Sequence, residues 1–254
     1  MTTIREYIKK FNEKSVAGEL NQKVEELKTL IVEHSPFLTM VSNYNLTTKV
    51  NYIPFVNPSS ITPGTVPTMQ GTLGGMDVIR NPYLVSLSLT DDTVEDANVN
   101  IELAAKQALL FQAHSFLEHK IGEFLETNLP AGTGTSPDMK TVMDTIASFP
   151  ASYACLQGKF MLCMNLNTYL KVMSTLDTAH KKLLDDGLFV PVLCPTMNDG
   201  KLAVLHSYGL KLGMDIGSIE IGRDGESQSN AMLLPIYLGI NIASGYGKLL
   251  TLTL

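Results

Sequence analysis

Residues 96–128 read DANVNIELAAKQALLFQAHSFLEHKIGEFLETN and carry the clearest structural signal in the chain. One apolar stripe repeats every seven residues, at Leu103, Leu110, Leu117 and Phe124. A second stripe contains Leu109, Ala113, Phe116 and Ile121. Acidic residues just before the stretch, such as Asp91 and Asp92, are candidate caps for a helix start, and the next proline is Pro130. The pattern predicts one helix about 48 Å long. Because it is apolar over a wide arc, we expect it to be buried along most of its length.

The segment before this helix begins with residues 1–40, which are predicted to form an N-terminal helical arm. Charged side chains are concentrated there, and Gly18 separates two helical pieces. Apolar residues recur at helical spacing, first at Ile4, Tyr7, Ile8 and Phe11, then at Leu20, Val24, Leu27 and Ile31. One narrow apolar stripe cannot form a core, so the arm must pack on its own domain or on a neighbouring subunit. The arm therefore supplies these candidates for a subunit interface: Ile4, Tyr7, Phe11, Leu20, Val24 and Leu27.

Residues 41–95 are predicted to form an extended β-hairpin loop. Apolar and polar residues alternate over 47–56 and again over 78–90, as expected for two strands. The intervening 57–75 are rich in Pro, Gly, Ser and Thr and are assigned to an irregular tip. A two-stranded ribbon is not stable alone in water, so it too should pack on a partner surface. Its candidates for the subunit interface are Tyr52, Phe55, Val85 and Leu87.

Beyond the long helix, residues 131–230 are predicted to form a mixed α/β domain. We expect helices at 139–147 and 167–184, the second ended by Asp185, Asp186 and Gly187. Strands are expected at 160–165, 188–193 and 201–205, the last two joined by a turn at 198–200. The chain is β-rich after Gly213, and residues 231–254 are predicted to add further strands.

Composition narrows the functional classes. The chain has 254 residues, a formal net charge of −6, and only 17% charged residues. This charged fraction is well below the usual quarter. Together with a mean hydropathy of +0.11 it argues against intrinsic disorder. No apolar run approaches the roughly 20 residues of a membrane helix. The acidic balance also argues against a protein that coats DNA by neutralising its phosphates. Surface buried against other subunits would account for the scarcity of charge.

Motifs for catalysis and for ligand binding are missing. The three cysteines, at 155, 163 and 194, form no CxxC pair, and His114 and His119 are not spaced as a zinc helix requires. The glycines at 217 and 222 lack the lysine of a phosphate loop. We therefore predict no catalytic, cofactor-binding or metal-binding residue, and the chain is not expected to be an enzyme.

The order of these segments resembles the major capsid proteins of tailed bacteriophages, which share the Hong Kong phage capsid fold with encapsulins. Three stretches carry the resemblance. Residues 96–128 resemble the spine helix of that family, and 161–190, MLCMNLNTYLKVMSTLDTAHKKLLDDGLFV, resemble a passage of its axial domain. Residues 232–254 resemble the returning strands of its peripheral domain. The implied class is α+β, with an arm (1–40), an extended hairpin loop (41–95), a spine helix of the peripheral domain (96–130), an axial domain (131–230) and C-terminal peripheral strands (231–254).

The resemblance implies a major capsid protein that self-assembles into an icosahedral shell around double-stranded phage DNA. Its partners would be copies of itself in pentamers and hexamers, with scaffolding, portal and decoration proteins as further possible partners. DNA would be enclosed without sequence-specific binding, no membrane would be involved, and no cofactor is implied. Such a protein would assemble in the host cytoplasm and reside in the virion. The 34 residues before the hairpin region are too few for a built-in scaffold, so a separate scaffolding protein, or none, is expected.

Two alternatives stay open at the level of sequence. An encapsulin-like bacterial compartment would have the same fold but would enclose protein cargo instead of DNA. A cytosolic enzyme with an unrecognised site would form small oligomers with a deep polar pocket.

Overall fold

The computed structural model describes residues 24–41, 43–44, 46–63, 69–88, 101–150, 158–223 and 230–254. Three sheets organise these residues: a five-stranded sheet, a four-stranded sheet and a two-stranded hairpin. The helices are α1 (Val24–His34), α2 (Pro36–Met40), α3 (Ile101–Asn128), α4 (Met139–Ala147), α5 (Leu166–Met173) and α6 (Thr178–Asp185). The strands are β1 (Asn43–Tyr44), β2 (Val50–Pro63), β3 (Met69–Ile79), β4 (Asn81–Ser88), β5 (Phe160–Met164), β6 (Phe189–Leu193), β7 (Lys201–His206), β8 (Leu210–Ile216), β9 (Glu220–Arg223), β10 (Asn230–Ile242) and β11 (Gly247–Thr251). Helices and sheets occur together, so the predicted α+β class is confirmed.

The five-stranded sheet carries the long helix. Its strands lie in the order β1-β8-β10-β4, and β9 pairs with the first four residues of β10, 230–233. Helix α3 packs on this sheet through one ridge of fully buried side chains spaced four residues apart, Leu109, Ala113, Leu117, Ile121 and Leu125. This spacing places all of them on one face of the helix.

The predicted burial runs along the helix from Leu109 to Leu125, but the opposite side of α3 is open. Phe111 is 75% exposed and Glu123 is exposed as well, while Leu110 and Phe124 of the heptad stripe are only partly buried. The helix ends at Asn128 because Pro130 has no N–H to continue it. Thr127 Oγ1 and Asn128 Nδ2 donate to carbonyls of the last turns, at 2.8 and 2.9 Å.

The four-stranded sheet, in the order β11-β7-β5-β6, is covered on both faces. Alternate residues of β5 contribute to two different cores, which is the period of a strand. Met161 and Cys163 pack in the core beneath α3, and Phe160, Leu162 and Met164 pack in a second core with α4 and the root of the hairpin. One sheet therefore forms a wall that the two cores share.

The hairpin consists of β2 and β3, and the predicted return strand is wrong. Val50 pairs with Ile79 and Pro63 with Met69, so 69–79 form the second arm, with an irregularity between Asn57 and Thr62. The expected return strand, 78–90, instead contains the end of β3 and then β4, which pairs antiparallel with β10. The local alternation identified strands correctly, but it holds no information on which distant strand each one joins.

The predicted helix at 167–184 is divided into α5 and α6. Ser174 Oγ and Thr175 Oγ1 donate to the carbonyls of Lys171 and Val172, both at 2.7 Å. These bonds compete with the helical ladder and end α5. Asp177 then caps a new helix by accepting a hydrogen bond from the His180 N–H at 2.8 Å. The predicted stop is confirmed, since Gly187 has φ +71° directly after α6.

The predicted strands at 188–193 and 201–205 exist as β6 and β7, but they do not pair with each other. β5 lies between them, parallel to β6 and antiparallel to β7. The predicted turn between them is present, and Gly200 has φ +77° there. At the C-terminus, β10 belongs to the five-stranded sheet, whereas β11 pairs with β7 in the four-stranded sheet.

Candidate assembly interface

The root of the hairpin has one buried face. Ile53, Met76 and Val78 share that face in the β2–β3 register and are 4%, 9% and 0% exposed. They pack in the second core with Leu46. Gly239 of β10 lets the hairpin approach closely, because a Cβ there would lie 2.6 Å from Val78 Cγ1 and 2.8 Å from the Ile79 carbonyl oxygen. The hairpin therefore begins as part of the subunit's own core.

The other face of the hairpin root is open to solvent and carries large apolar side chains beside the exposed Asp77, which pairs with Tyr52. Val50, Tyr52 and Ile79 share it and are 50%, 70% and 50% exposed. The Tyr52 ring lies across Gly75 on the neighbouring strand, in the space that a Cβ at that glycine would fill. The ring thus covers bare backbone of the ribbon, while its outer side faces away from the subunit. We call Val50, Tyr52 and Ile79 the outer hairpin face.

A charged cluster fixes the base of the hairpin to the sheet and to α1. Arg80 lies between β3 and β4, with its guanidinium carbon 3.4 Å from the centre of the Tyr237 ring. Its Nη2 lies 3.8 Å from Asp215 Oδ2, and Lys28 Nζ lies 3.5 Å from Asp215 Oδ1. One carboxylate on β8 therefore joins the corner of the hairpin to the first described helix. The amide nitrogen of Asn241 adds a bond to the Asp77 carbonyl oxygen at 2.7 Å.

The other interface candidates from the sequence fall into two groups. Leu27, Val85 and Leu87 are 0%, 7% and 9% exposed and pack in the core beneath α3, so the subunit itself already covers them. The second group has no described side-chain contacts. Val24 and Phe55 are described only as backbone in α1 and β2, and Ile4, Tyr7, Phe11 and Leu20 lie outside the described residues. A role of any candidate in subunit contacts stays a prediction.

Several exposed apolar side chains escaped the sequence analysis. Leu84 on β4 is 58% exposed, and Leu166 and Leu170 on α5 are 55% and 58% exposed. A signal for Leu84 was present, because it alternates with Ser86 on the side of β4 opposite Val85 and Leu87. Phe111 lies one residue after the heptad position Leu110, so its exposure follows from the 100° step of the helix.

Two observations on the described residues concern metal binding and a reactive cysteine. No cluster of three or more His, Cys, Asp or Glu side chains suited to a metal ion occurs among the described residues. Cys163 is fully buried, and this burial raises the pKa of its thiol well above the usual range, so the reactive thiolate is disfavoured. Of the helices that the structure describes, none has the length and apolar character to cross a bilayer.

Comparison with sequences finds nothing: no family model and no curated protein matches this chain. Comparison with solved structures, in contrast, finds similar folds over most of its length. A virus-like particle from Pyrococcus furiosus aligns with a TM-score of 0.62 at 12% identity, over 90% of this chain and 97% of that one. The satellite phage P4 procapsid aligns with a TM-score of 0.62 at 10% identity, over 90% of each chain.

A third similar structure is the capsid of a native GTA particle, with a TM-score of 0.58 at 12% identity, over 85% of this chain and 89% of that one. Each of the three similarities covers at least 85% of this chain. The chain therefore has the Hong Kong phage capsid fold, as the order of its segments predicted.

Proposed function

We propose that this chain is a major capsid protein, whose copies assemble into an icosahedral shell enclosing double-stranded phage DNA. The observation that carries the proposal is the similarity of its fold, over 90% of the chain, to the protein of the P4 procapsid. The role is structural and not enzymatic, and the protein resides in the virion after assembly in the host cytoplasm.

The outer hairpin face supports a role in assembly. A two-stranded ribbon needs a covering layer, and the subunit supplies one only on the side of Ile53, Met76 and Val78. The side of Val50, Tyr52 and Ile79 stays half exposed or more. In a shell of identical copies, the covering layer on that side is a neighbouring subunit, and repeated contacts of one kind close into pentamers and hexamers.

Charge supports a container for DNA in preference to a coat that grips it. The chain has 19 basic and 25 acidic side chains, for a net of −6. An acidic lining holds packed DNA at a distance instead of binding its phosphates. Further partners in the proposed role are a separate scaffolding protein, a portal and decoration proteins.

The first test is particle formation by the purified full-length chain. We expect closed shells in negative-stain microscopy, formed either by the chain alone or with a scaffolding protein from the same genome. Small oligomers under all salt concentrations and with each scaffold tried would contradict the proposal.

A bacterial compartment enclosing protein cargo is the second candidate. It is favoured by the similarity to the Pyrococcus particle, whose chain is covered over 97% of its length. The contents of particles from the native source separate the two functions. Nuclease-protected double-stranded DNA supports the phage capsid, and a defined protein inside nucleic-acid-free shells supports the compartment.

A further inference from the structure

Strand β4 lies at the end of the five-stranded sheet and pairs with β10 along one edge only. The Gly217 N–H donates to the Pro235 carbonyl oxygen at 2.9 Å, so the odd-numbered residues of β10 bond toward β8. Its even-numbered residues therefore bond toward β4, where they meet odd-numbered residues such as Val85. The backbone N–H and C=O groups of Leu84 and Ser86 consequently point away from the sheet, and no strand in the described part of the chain pairs with them.

This free edge lacks most of the usual protection against another strand. Leu84 is 58% exposed, and Ser86 is exposed as well. The sequence of β4, NPYLVSLS, contains no charged residue, and its one proline, Pro82, stands near its start. Natural sheets commonly protect a free edge with charged residues, proline or a bulge, because an open edge is a template for pairing with another chain. From Leu84 onward the edge of β4 is therefore suited to accept a strand.

We propose that β4 pairs antiparallel with β4 of a second copy, across a local two-fold axis. This inference rests on the proposed shell. Contacts repeated around a pentamer or hexamer join two different surfaces and close the ring, but they do not join one ring to the next. A shell therefore needs a further contact between rings. A contact between identical surfaces has two-fold symmetry and joins one copy to one other, which is the geometry that such a link requires.

The sequence of β4 fits pairing with itself. We place Leu84 opposite the partner's Ser86, so that each of the two residues donates one backbone hydrogen bond and accepts one. Two-fold symmetry repeats this pair, and every outward N–H and C=O of Leu84 and Ser86 is then satisfied. Pro82, which has no N–H, falls at the end of the pairing, where it interrupts nothing. Because β4 is uncharged, two copies of it bring no like charges together.

Ser86→Pro tests the pairing, because it removes an N–H that points away from β10 and leaves the bonds between β4 and β10 in place. The matched control is Ser86→Thr, which keeps the N–H. Under conditions in which the parent chain forms shells, we expect a normal yield from Ser86→Thr. From Ser86→Pro we expect a yield at least ten-fold lower, with free rings in place of shells and an unchanged circular dichroism spectrum. Shells from Ser86→Pro at the yield of the control would overturn the pairing.

Disulfide cross-linking covers the case in which Ser86→Pro does not fold, and it identifies the register. Leu84→Cys with an affinity tag is mixed before assembly with untagged Ser86→Cys, both made with Cys155→Ser. The other two cysteines, Cys163 and Cys194, are fully buried. After mild oxidation we expect dimers of one tagged and one untagged chain to be several-fold more abundant than dimers of like chains. An absence of dimers, or dimers mainly of like chains, would refute the pairing.

The β4 pair and the shell fail in different ways. Cross-linked dimers are identified by mass in whatever oligomer the chain forms. A parent chain that forms only small oligomers therefore contradicts the shell, while the mixed dimers still decide the β4 pair. Closed shells without mixed dimers contradict the β4 pair and leave the proposed shell in place.

Discussion

His206 is a buried histidine at the end of β7, only 2% exposed, next to the rings of Phe160 and Tyr246. Burial lowers its pKa below the ordinary value of 6.5, because the charged ring is poorly solvated there. The folded chain therefore favours the neutral ring. In the unfolded chain the same ring binds a proton as the pH falls through 6.5, so the free energy of unfolding falls from that pH downward.

We predict that His206→Phe removes part of this acid destabilisation. The free energy of unfolding, measured by urea titration between pH 5 and 8, should fall less steeply below pH 6.5 than in the parent chain. Replacement of an exposed histidine, His119→Gln, is the control for the loss of a histidine side chain. Equal acid slopes in His206→Phe and the parent chain would mean that His206 does not cause the destabilisation.

Gly122 is the one glycine in the long helix, and the structure gives the reason for it. A Cβ at this position would lie 2.9 Å from Thr196 Oγ1 and 3.4 Å from Met197 Cγ, in the turn after β6. Close by, the Asn198 backbone N–H and side-chain amide donate to the two oxygens of Glu126, both at 2.6 Å. The glycine therefore allows α3 to approach the turn that ties it to the four-stranded sheet.

Substitutions of increasing size at Gly122 should differ in their effect on stability. Gly122→Ala gains up to about 1 kcal/mol of helix propensity but displaces the Thr196 hydroxyl, which donates to the Glu118 carbonyl oxygen at 3.4 Å, so we expect nearly unchanged stability. Gly122→Leu should lose about 1–3 kcal/mol by overpacking against the turn. Ser115→Leu, at an exposed position of the same helix, is the control for side-chain size. Urea unfolding followed by circular dichroism measures all three, and equal stability of the two leucine variants would contradict the close approach.

At the scale of elements, one face of the hairpin is buried in the subunit's own core and the other is exposed. A substitution on the exposed face can therefore change assembly without changing folding. We predict that Val50→Thr/Ile79→Thr leaves the subunit folded, since both side chains are half exposed and threonine keeps the β-branched shape. The yield of shells should fall strongly, because each copy presents a more polar outer hairpin face to its neighbour. Urea unfolding and particle counts by microscopy test the two halves of this prediction, with Ser86→Thr on β4 as the control. A normal yield of shells would exclude the outer hairpin face from the subunit contacts.

Most helices and strands were predictable from the sequence, but their pairing was not. The helix at 139–147 agrees exactly with α4, since its apolar spacing and the cap at Asp138 are local signals. The position of β5 between β6 and β7, and the pairing of β4 with β10, depend on contacts between distant residues. The predicted interface residues show the same limit of prediction from local sequence. The alternation at Val85 and Leu87 reveals a face that must be covered, but not that α3 and the chain's own core cover it.

At the scale of the whole molecule, the arm has two parts with different roles. Leu27 and Ile31 of α1 are 0% and 1% exposed in the core beneath α3, so this part belongs to the fold of the subunit. Residues 1–23, outside the described part, precede it. A removal of all residues through His34 would therefore take core side chains away together with the arm.

Two truncations should separate these roles. Deletion of residues 1–23 should leave the unfolding transition nearly unchanged and reduce the yield of shells. Deletion of residues 1–34 should also lower the free energy of unfolding by several kcal/mol, because it removes two fully buried side chains and opens a cavity beneath α3. Calorimetry and microscopy on both truncations provide the comparison. Equal stability of the two would mean that α1 contributes nothing to the core, and an unchanged yield for the shorter truncation would exclude the arm from assembly.

The wall shared by the two cores has a mechanical consequence. Backbone passes directly from β7 in the four-stranded sheet, through the short turn Ser207–Gly209, into β8 of the five-stranded sheet. Tension on one sheet is thus carried to the other along covalent bonds and through a close-packed interior of low compressibility. In the proposed shell, under internal pressure, the subunit would be stiff across the two joined sheets and compliant at its margin. Deformation would then concentrate in the hairpin, where only one face is supported by the subunit.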